Sequence, residues 1–414
     1  MEKIKKKTAK ITVIGLGYIG LPTATLFASA GFKVFGYDIS EEIVNNLKQG
    51  KIHIEEPDLK ELFEQVLSKG NLIPTNKVNE SDVYIICVPT PFKKEENEKK
   101  ADLSYIKEAS SIISKVLKKG DLVILESTVP PKTTEIFMNE ILEKETGLKV
   151  NKDYYIAHCP ERVLPGQIIK ELKDNDRIIG VSNKKAAEMT KELYSSVVDI
   201  KKIFITNTVT AEMCKLVENT FRDINIAFAN ELSMICDTLN IDVKELIQLA
   251  NKHPRVNILK PGVGVGGHCL AVDPWFIVEK TPQLSKLIRT ARDVNDYKTQ
   301  WVVEKAEEQI KNNFGDEKII IGILGLSYKP NIGDLRESPS LRMAKLFEAK
   351  GYTVIACEPY YSKDNVGNIK NLSFKEVLSK SNYLIIAQKH SAFLSHKFEN
   401  PKNIMDLTGL LNER

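Results

Sequence analysis

Lys10-Ile-Thr-Val-Ile-Gly-Leu-Gly-Tyr-Ile-Gly-Leu-Pro22 is an apolar run that ends directly in Gly15, Gly17 and Gly20, the spacing GxGxxG. The three glycines alone are a weak signal, and their setting strengthens it. The run predicts a strand, residues 24–30 predict a helix, and residues 33–37 predict a second strand that closes on Asp38. In a βαβ dinucleotide fold the glycines let a pyrophosphate rest on the helix N-terminus, and an acid about 20 residues on takes the ribose hydroxyls. Asp38 fills that place. An acid there repels a 2′-phosphate, and Ile39-Ser-Glu-Glu42 supplies no arginine to receive one, so NAD is expected rather than NADP. Tyr18 and Ile19, inside the loop, join the three glycines as expected cofactor contacts. The alternative is a glycine turn that holds no cofactor.

Further βα units follow. Strand signals lie in Asp82-Val-Tyr-Ile-Ile-Cys-Val-Pro-Thr-Pro91 and Asp121-Leu-Val-Ile-Leu-Glu-Ser-Thr-Val-Pro-Pro131. Ligands of doubly wound sheets gather at the carboxyl ends of strands, which puts Thr90 and Thr128 in reach of the cofactor; turn capping explains the same placement. The charged run 93–100 reads as a solvated loop. A strand at 154–158 leads into Cys159-Pro-Glu-Arg-Val-Leu-Pro-Gly166, where Glu161 and Arg162 stand side by side as site residues or as a surface ion pair.

Residues 210–239 hold no glycine or proline and predict one long helix between domains. Lys215, Asn219 and Arg222 fall on one face of it. Met213, Leu216, Val217, Phe221 and Ile224 around them read as buried, which favours an enclosed anionic or hydroxylated ligand over a solvated stripe. Ile224, Ile226, Phe228, Leu232, Met234 and Ile235 make the circumference too apolar for an exposed face, so a second copy of the chain is the expected cover.

The stretch Leu259-Lys-Pro-Gly-Val-Gly-Val-Gly-Gly-His-Cys-Leu-Ala-Val-Asp-Pro-Trp-Phe276 carries Cys269 behind four glycines, with Asp273 four residues later. Glycines of this density mark a close approach to bare backbone. Pro274 is expected to stiffen the exit of the loop. A thiol near a carboxylate suggests covalent catalysis followed by assisted hydrolysis; a buried structural cysteine is the alternative. Beyond it, Lys318-Ile-Ile-Ile-Gly-Ile-Leu-Gly-Leu-Ser-Tyr-Lys-Pro330 looks like a second dinucleotide fold with an edited phosphate loop. Tyr328 and Lys329 replace the tight glycine turn, so a second NAD is not expected there and a phosphate met by lysine is.

The chain has 414 residues, 42% of them hydrophobic and 28% charged, enough for two or three domains with sizeable cores. A net charge of +4 with both signs interspersed gives no support to nucleic-acid or membrane binding. No run approaches the about 20 apolar residues that span a bilayer, and the N-terminus lacks a signal-peptide core, so a cytoplasmic protein is expected. Six cysteines without CxxC spacing argue against a zinc site or a disulfide framework. The expected fold is α/β, two Rossmann-like doubly wound domains joined by a long central helix. Residues 1–207 are expected to bind NAD, 208–312 to form a helical dimerisation and catalytic region, and 313–414 to form the second Rossmann-like domain.

These motifs together resemble the nucleotide-sugar 6-dehydrogenase family, which oxidises UDP-glucose, GDP-mannose and UDP-N-acetylhexosamines. The resemblance covers nearly the whole chain: Gly15-x-Gly17-x-x-Gly20, Ser127-Thr128-Val-Pro130, Pro160-Glu161, Lys215-x-x-x-Asn219, Gly266-Gly267-x-Cys269 with Asp273, and Lys329 with Asp334-x-Arg336 stand in family order. It implies that Cys269 is the nucleophile, that Lys215 and Asn219 hold the oxygen on carbon 6, and that Asp273 assists with water. Glu161 and Asp273 share the proton handling, unapportioned. Arg162, Val163, Arg222, Gly266, Tyr328 and Lys329 are implied as substrate contacts and Arg336 as a cofactor contact. His253 and Arg255, on the loop Asn251-Lys-His-Pro-Arg-Val-Asn257, are implied to reach the sugar of a neighbouring subunit; ordinary solvent-facing residues are the alternative. The UDP-glucose branch has serine before the cysteine and lysine before the aspartate, where this chain has His268 and Val272. Gly-Gly-His-Cys and Cys-Pro-Glu-Arg-Val-Leu-Pro-Gly are similar to the branch acting on UDP-N-acetylmannosamine or close N-acetylated relatives. A 3-hydroxyacid or 6-phosphogluconate type dehydrogenase, making one NADH and needing no thiol, and a non-catalytic NAD-sensing scaffold are the rival readings.

Overall fold

The computed structural model describes residues 1–54, 56–93, 99–164, 166–395, 398 and 403–412, so most of the 93–100 charge run lies outside the described residues. The chain divides into two compact units, Met1–Val217 and Glu218–Arg414. The division falls inside one uninterrupted helix, Thr208–Leu239, which Asn240 ends with a positive φ of 56°.

In the first unit, β1 (Lys10–Ile14), β2 (Lys33–Tyr37), β3 (Leu72–Thr75), β4 (Val83–Ile86), β5 (Leu122–Leu125), β6 (Tyr155–His158), β7 (Arg177–Val181) and β8 (Ile203–Thr206) form one sheet in the order β3-β2-β1-β4-β5-β6-β7-β8. The expected strands at 33–37 and around residues 82–91, 121–131 and 154–158 are all present. Strands β4, β5 and β6 are buried along their whole length, as apolar runs covered by helices on both faces must be. Phe27, Phe63 and Leu193 pack on one face, and Ile106, Met138 and Leu142 on the other. The order reverses between β1 and β4, the crevice where doubly wound sheets bind ligands. One pairing breaks the parallel pattern: β6 and β7 run antiparallel.

The second unit repeats the plan on a smaller scale. β9 (Ile320–Leu324), β10 (Thr353–Cys357), β11 (Asn365–Val366), β12 (Ile369–Asn371), β13 (Tyr383–Ile386) and β14 (Ile404–Asp406) pair in the order β11-β12-β10-β9-β13-β14, so β9 stands between β10 and β13 as β1 stands between β2 and β4. The helix Lys286–Phe314 packs along the Pro339–Ala349 helix, whose first turn is capped by Ser338. Val302, Val303, Ala306 and Ile310 supply the buried face of the longer helix.

Candidate functional site

In the first unit the glycine loop follows β1. Gly15 adopts φ +90°, and a Cβ there would meet the Cys87 carbonyl oxygen at 2.6 Å; a Cβ on Gly20 would collide with the Gly15 carbonyl. These two glycines therefore serve the turn itself. Gly17 differs, because a Cβ there would meet nothing within 4 Å. Its bare backbone faces open space at the head of the Gly20–Ser29 helix, whose first turn has no side-chain cap. That is the cradle a dinucleotide pyrophosphate needs, so these residues fit NAD. Asp38 at the end of β2 is held from two sides, Oδ2 accepting from the Leu16 backbone N–H at 2.8 Å and Oδ1 from that of Ser40 at 2.9 Å. Each oxygen keeps acceptor capacity toward ribose hydroxyls. Ile39 is 77% exposed beside it, and Tyr18 and Ile19 lie at the loop surface. The Thr90 hydroxyl donates to the Thr128 carbonyl oxygen at 2.6 Å and Ser127 donates to Val88, which clamps the ends of β4 and β5 together. The next turn is fixed by Glu212, buried on the long helix, whose carboxylate accepts the Lys132 and Thr134 N–H groups. Lys215 follows three residues later, half-buried.

After β6, Glu161 meets its neighbour Arg162 only through the backbone, one carboxylate oxygen accepting the Arg162 N–H at 2.7 Å. Its carboxylate pairs with Arg177 at 2.8 Å, both side chains buried, while Arg162 Nη1 donates to the Asp176 carbonyl. A surface pair is thereby replaced by a buried one, and Arg177 is a residue that local sequence could not nominate because it arrives from β7. Val163 packs with Ile168 and Leu172.

In the second unit the stretch around Cys269 is held against the loop after β9. A Cβ on Gly266 would meet the Glu337 carbonyl oxygen at 2.5 Å and Tyr328 Cβ at 2.8 Å, and one on Gly267 would strike the Tyr328 ring at 2.8 Å. The close approach inferred from glycine density is thus made by Tyr328, a residue of the same chain. Gly267 N–H donates to the Arg336 carbonyl. Pro274 does not stiffen a loop exit; it opens the helix Asp273–Lys280, whose first backbone bonds, from Val272 and Asp273, end on the Cys269 carbonyl. Asp273 is buried, and Asn219 Nδ2 donates to its Oδ2 at 2.5 Å. Nucleophile candidate, carboxylate and amide are therefore brought together, and Lys215 lies one turn before Asn219 on the same helix.

The helix surroundings differ from expectation. Leu216 is buried, but Val217 is 47% and Phe221 68% exposed, and Arg222 is exposed as well. Burial goes instead to a polar spine that sequence reading missed. Asp223 accepts from Arg292 at 2.6 Å and Asn295 at 2.8 Å; Asn295 Oδ1 accepts from Asn230, and Asn230 Oδ1 accepts the Gly262 N–H at 2.8 Å. Thr299 donates to the Val263 carbonyl. The spine ties the Thr208–Leu239 and Lys286–Phe314 helices to the start of the glycine stretch. Spaced at helical period, these polar residues look like solvated stripes in sequence.

Glu358 shows why the second fold is not a second dinucleotide site. It follows β10 as Asp38 follows β2, and it likewise accepts the N–H of Leu326, the residue after Gly325. Its carboxylate also takes the Ser327 N–H and His390, and it is buried, so no ribose reaches it. Burial pushes the Glu358 carboxyl up, but the bond and charge of His390 together with the Ser327 and Leu326 N–H groups hold it below the usual carboxylate range. Tyr328 is half-buried and Lys329 exposed. Arg336 makes a forked pair with Asp334, Nη2 to Oδ2 at 2.6 Å. Burial opposes ionisation of Asp334, but the Arg336 bonds and charge, with His268 adding to them, hold it low. His253 and Arg255 are both exposed, with the Arg255 N–H donating to His253 Nδ1.

The chain matches, in order, the NAD binding domain (residues 9–198), central domain (209–297) and UDP binding domain (322–413) of the UDP-glucose/GDP-mannose dehydrogenase family. It is 50% identical over 397 residues to a UDP-N-acetyl-D-mannosamine dehydrogenase of Campylobacter jejuni, covering 93% of this chain and 96% of the relative. An NDP-N-acetyl-D-galactosaminuronic acid dehydrogenase of Ralstonia nicotianae is 45% identical, covering 92% of this chain and 91% of the relative. The UDP-D-ManNAc dehydrogenase structure from Pyrococcus horikoshii superposes with a TM-score of 0.90 at 41% identity, covering 98% of this chain and 96% of the other. With the glycine loop and Asp38 in one unit and the cysteine, carboxylate and amide in the other, the chain belongs to the UDP-glucose/GDP-mannose dehydrogenase family and is an NAD-dependent oxidoreductase.

Proposed function

We propose that this chain oxidises carbon 6 of UDP-N-acetyl-D-mannosamine to the uronic acid in two successive NAD-dependent steps. The observation that carries the reading is the Asn219–Asp273 bond one helical turn from Cys269. A single oxidation of an alcohol has no use for a thiol, whereas a thiol at the site can capture the aldehyde and carry it on to the acid. NAD, when bound, accepts the hydride in each oxidation. Cys269 thiolate adds to the aldehyde and gives a thiohemiacetal; its oxidation leaves a thioester, and water releases the acid. Lys215 and Asn219 stabilise charge on the carbon 6 oxygen, a role that contributes most when the donors are fixed in advance. Asp273 and Glu161 handle the protons and the water. Arg162, Val163, Arg222, Gly266, Tyr328 and Lys329 hold sugar and diphosphate, and Arg336 contacts the cofactor.

The working unit is a homodimer. Val217, Phe221, Phe228, Ile235 and Leu239 are exposed along one helix, an apolar stripe that supports a second copy as its cover, and His253 and Arg255 are the side chains offered to the neighbour's sugar. Among the described residues no helix is long and apolar enough to cross a membrane, and a cytoplasmic location accords with its NAD and UDP-sugar substrates. The test is a panel of UDP-ManNAc, UDP-GlcNAc, UDP-glucose and GDP-mannose followed by NADH absorbance. UDP-ManNAc should give the highest kcat/KM; a higher value for any other sugar overturns the substrate assignment.

A further inference from the structure

In the second sheet the loops after β9, β10 and β13 meet at the carboxyl ends of three neighbouring strands, beside the point where the strand order reverses. The loop after β9 is held at its start by Glu358, which accepts the Leu326 and Ser327 N–H groups at 2.8 Å each. Its far end is held by His390, buried in the loop after β13, whose Nδ1 accepts the Asn331 N–H at 2.9 Å. A ring nitrogen that accepts carries no proton, so the imidazole proton sits on Nε2 and points to Glu358 Oε2 at 3.2 Å. His390 thereby links the two anchors. Tyr360 lies against its ring and Phe393 meets it edge to face, with centroids 5.1 and 5.3 Å away. Asn331 adds bonds of its own: Oδ1 accepts the Ser391 N–H at 2.8 Å and the Ser391 hydroxyl at 3.1 Å. It stands at φ +61°, a conformation asparagine tolerates better than most residues.

Between the two anchors sits Lys329. Its carbonyl accepts the Ser327 hydroxyl at 2.9 Å, and Pro330, with its fixed φ, joins it to Asn331. The backbone of Lys329 is therefore fixed on both sides while its side chain is exposed. Apolar side chains would fill the space of the imidazole and carboxylate without their desolvation cost. What the polar set adds is one position for an exposed ammonium.

We propose that His390 and Asn331 form a latch that positions Lys329 for the diphosphate of UDP. This rests on the reading of Lys329 as a diphosphate contact. The latch residues are positioning residues, not ligands. With the loop released the same ammonium remains, but the chain must be ordered again when UDP binds, and affinity falls.

UDP binding to the intact enzyme is measured by calorimetry, with NAD, held by the glycine loop of the first unit, titrated as the control. His390→Phe keeps a ring against Tyr360 and Phe393 and removes both hydrogen bonds. It should weaken UDP about 10-fold, the scale of one lost buried hydrogen bond, leave NAD unchanged, and raise KM for UDP-ManNAc while kcat holds. His390→Asn keeps an acceptor near the Nδ1 position and should recover part of the UDP affinity. A purely structural role would lower the number of UDP sites and leave the affinity of the folded fraction alone. A folded His390→Phe with wild-type UDP affinity, or with UDP and NAD weakened together, overturns the proposal. Should that variant not fold, Asn331→Gly decides, because glycine keeps the positive φ at this exposed position and removes the bonds to Ser391. Weaker UDP beside unchanged NAD then supports the latch, and UDP affinity at the wild-type value overturns it. Lys329→Ala that binds UDP as tightly as wild type would instead refute the reading of Lys329, irrespective of the latch.

Discussion

Replacing Lys298 with methionine should stabilise the second unit, by an amount that depends on pH. Lys298 is 3% exposed on the Lys286–Phe314 helix, and its ammonium donates one hydrogen bond, to Ser233 at 2.8 Å. Burial lowers it from 10.5 to about 7, with the Asp237 charge opposing. At about 1.4 kcal/mol per pH unit, this difference amounts to about 5 kcal/mol. The Trp301 ring lies 3.7 Å from Nζ and favours the ammonium, which makes that figure an upper bound. The sign follows from proton binding. Between pH 7 and 10.5 the unfolded chain holds a proton that the folded chain has released, so wild-type stability rises with pH across this window, and the penalty is fully present below pH 7. Methionine keeps the unbranched volume and removes the titration. Both tryptophans of the chain, Trp275 and Trp301, lie in this unit, so urea unfolding followed by their fluorescence reports it directly. The advantage of Lys298→Met over wild type should be largest at pH 6 and shrink by up to about 1.4 kcal/mol per pH unit from pH 7 to 10. An advantage that is constant with pH would refute the reasoning.

Asn230→Ala removes the acceptor of the Gly262 N–H and the donor to Asn295, and should cost about 2–5 kcal/mol of stability in the same fluorescence assay with a loss of kcat beyond the loss of folded protein. Asp38→Ala should weaken NAD by about 10-fold or more and relax the preference over NADP, read from KM for the two cofactors; an unchanged ratio would contradict the cofactor assignment. Mixing inactive Cys269→Ala with inactive Arg255→Ala and allowing subunits to exchange should restore part of the activity, because one site of each mixed dimer regains both groups. No recovery despite proven exchange would mean that Arg255 serves its own subunit or no site.

The first dinucleotide fold was legible because its signals are local. A glycine loop after a strand, and an acid after the next, are set by a few consecutive φ angles and by one crossover, and the structure places Gly15, Gly17, Gly20 and Asp38 accordingly. The order of Cys269, Asp273, Lys215 and Asn219 was legible for the same reason, and the Asn219–Asp273 bond then depended on tertiary packing. Partners fixed by register were not legible. Arg177 finds Glu161 through an antiparallel pairing no local pattern announces, and Tyr328 fills the space that the glycines at 266 and 267 leave open. Periodicity misled on the long helix, where apolar Phe221 faces outward and polar Asp223 and Asn230 face inward, because paired polar groups on two helices can satisfy each other as apolar groups cannot be told to do from one helix alone.

The most direct test of the account is stoichiometry. Limiting UDP-ManNAc is consumed to completion by wild-type enzyme with excess NAD, and NADH and uronic acid are counted together. Two NADH and one acid per sugar are predicted, with Cys269→Ala binding NAD normally yet forming no acid. One NADH per sugar, or acid formation that survives loss of the thiol, would contradict the covalent mechanism.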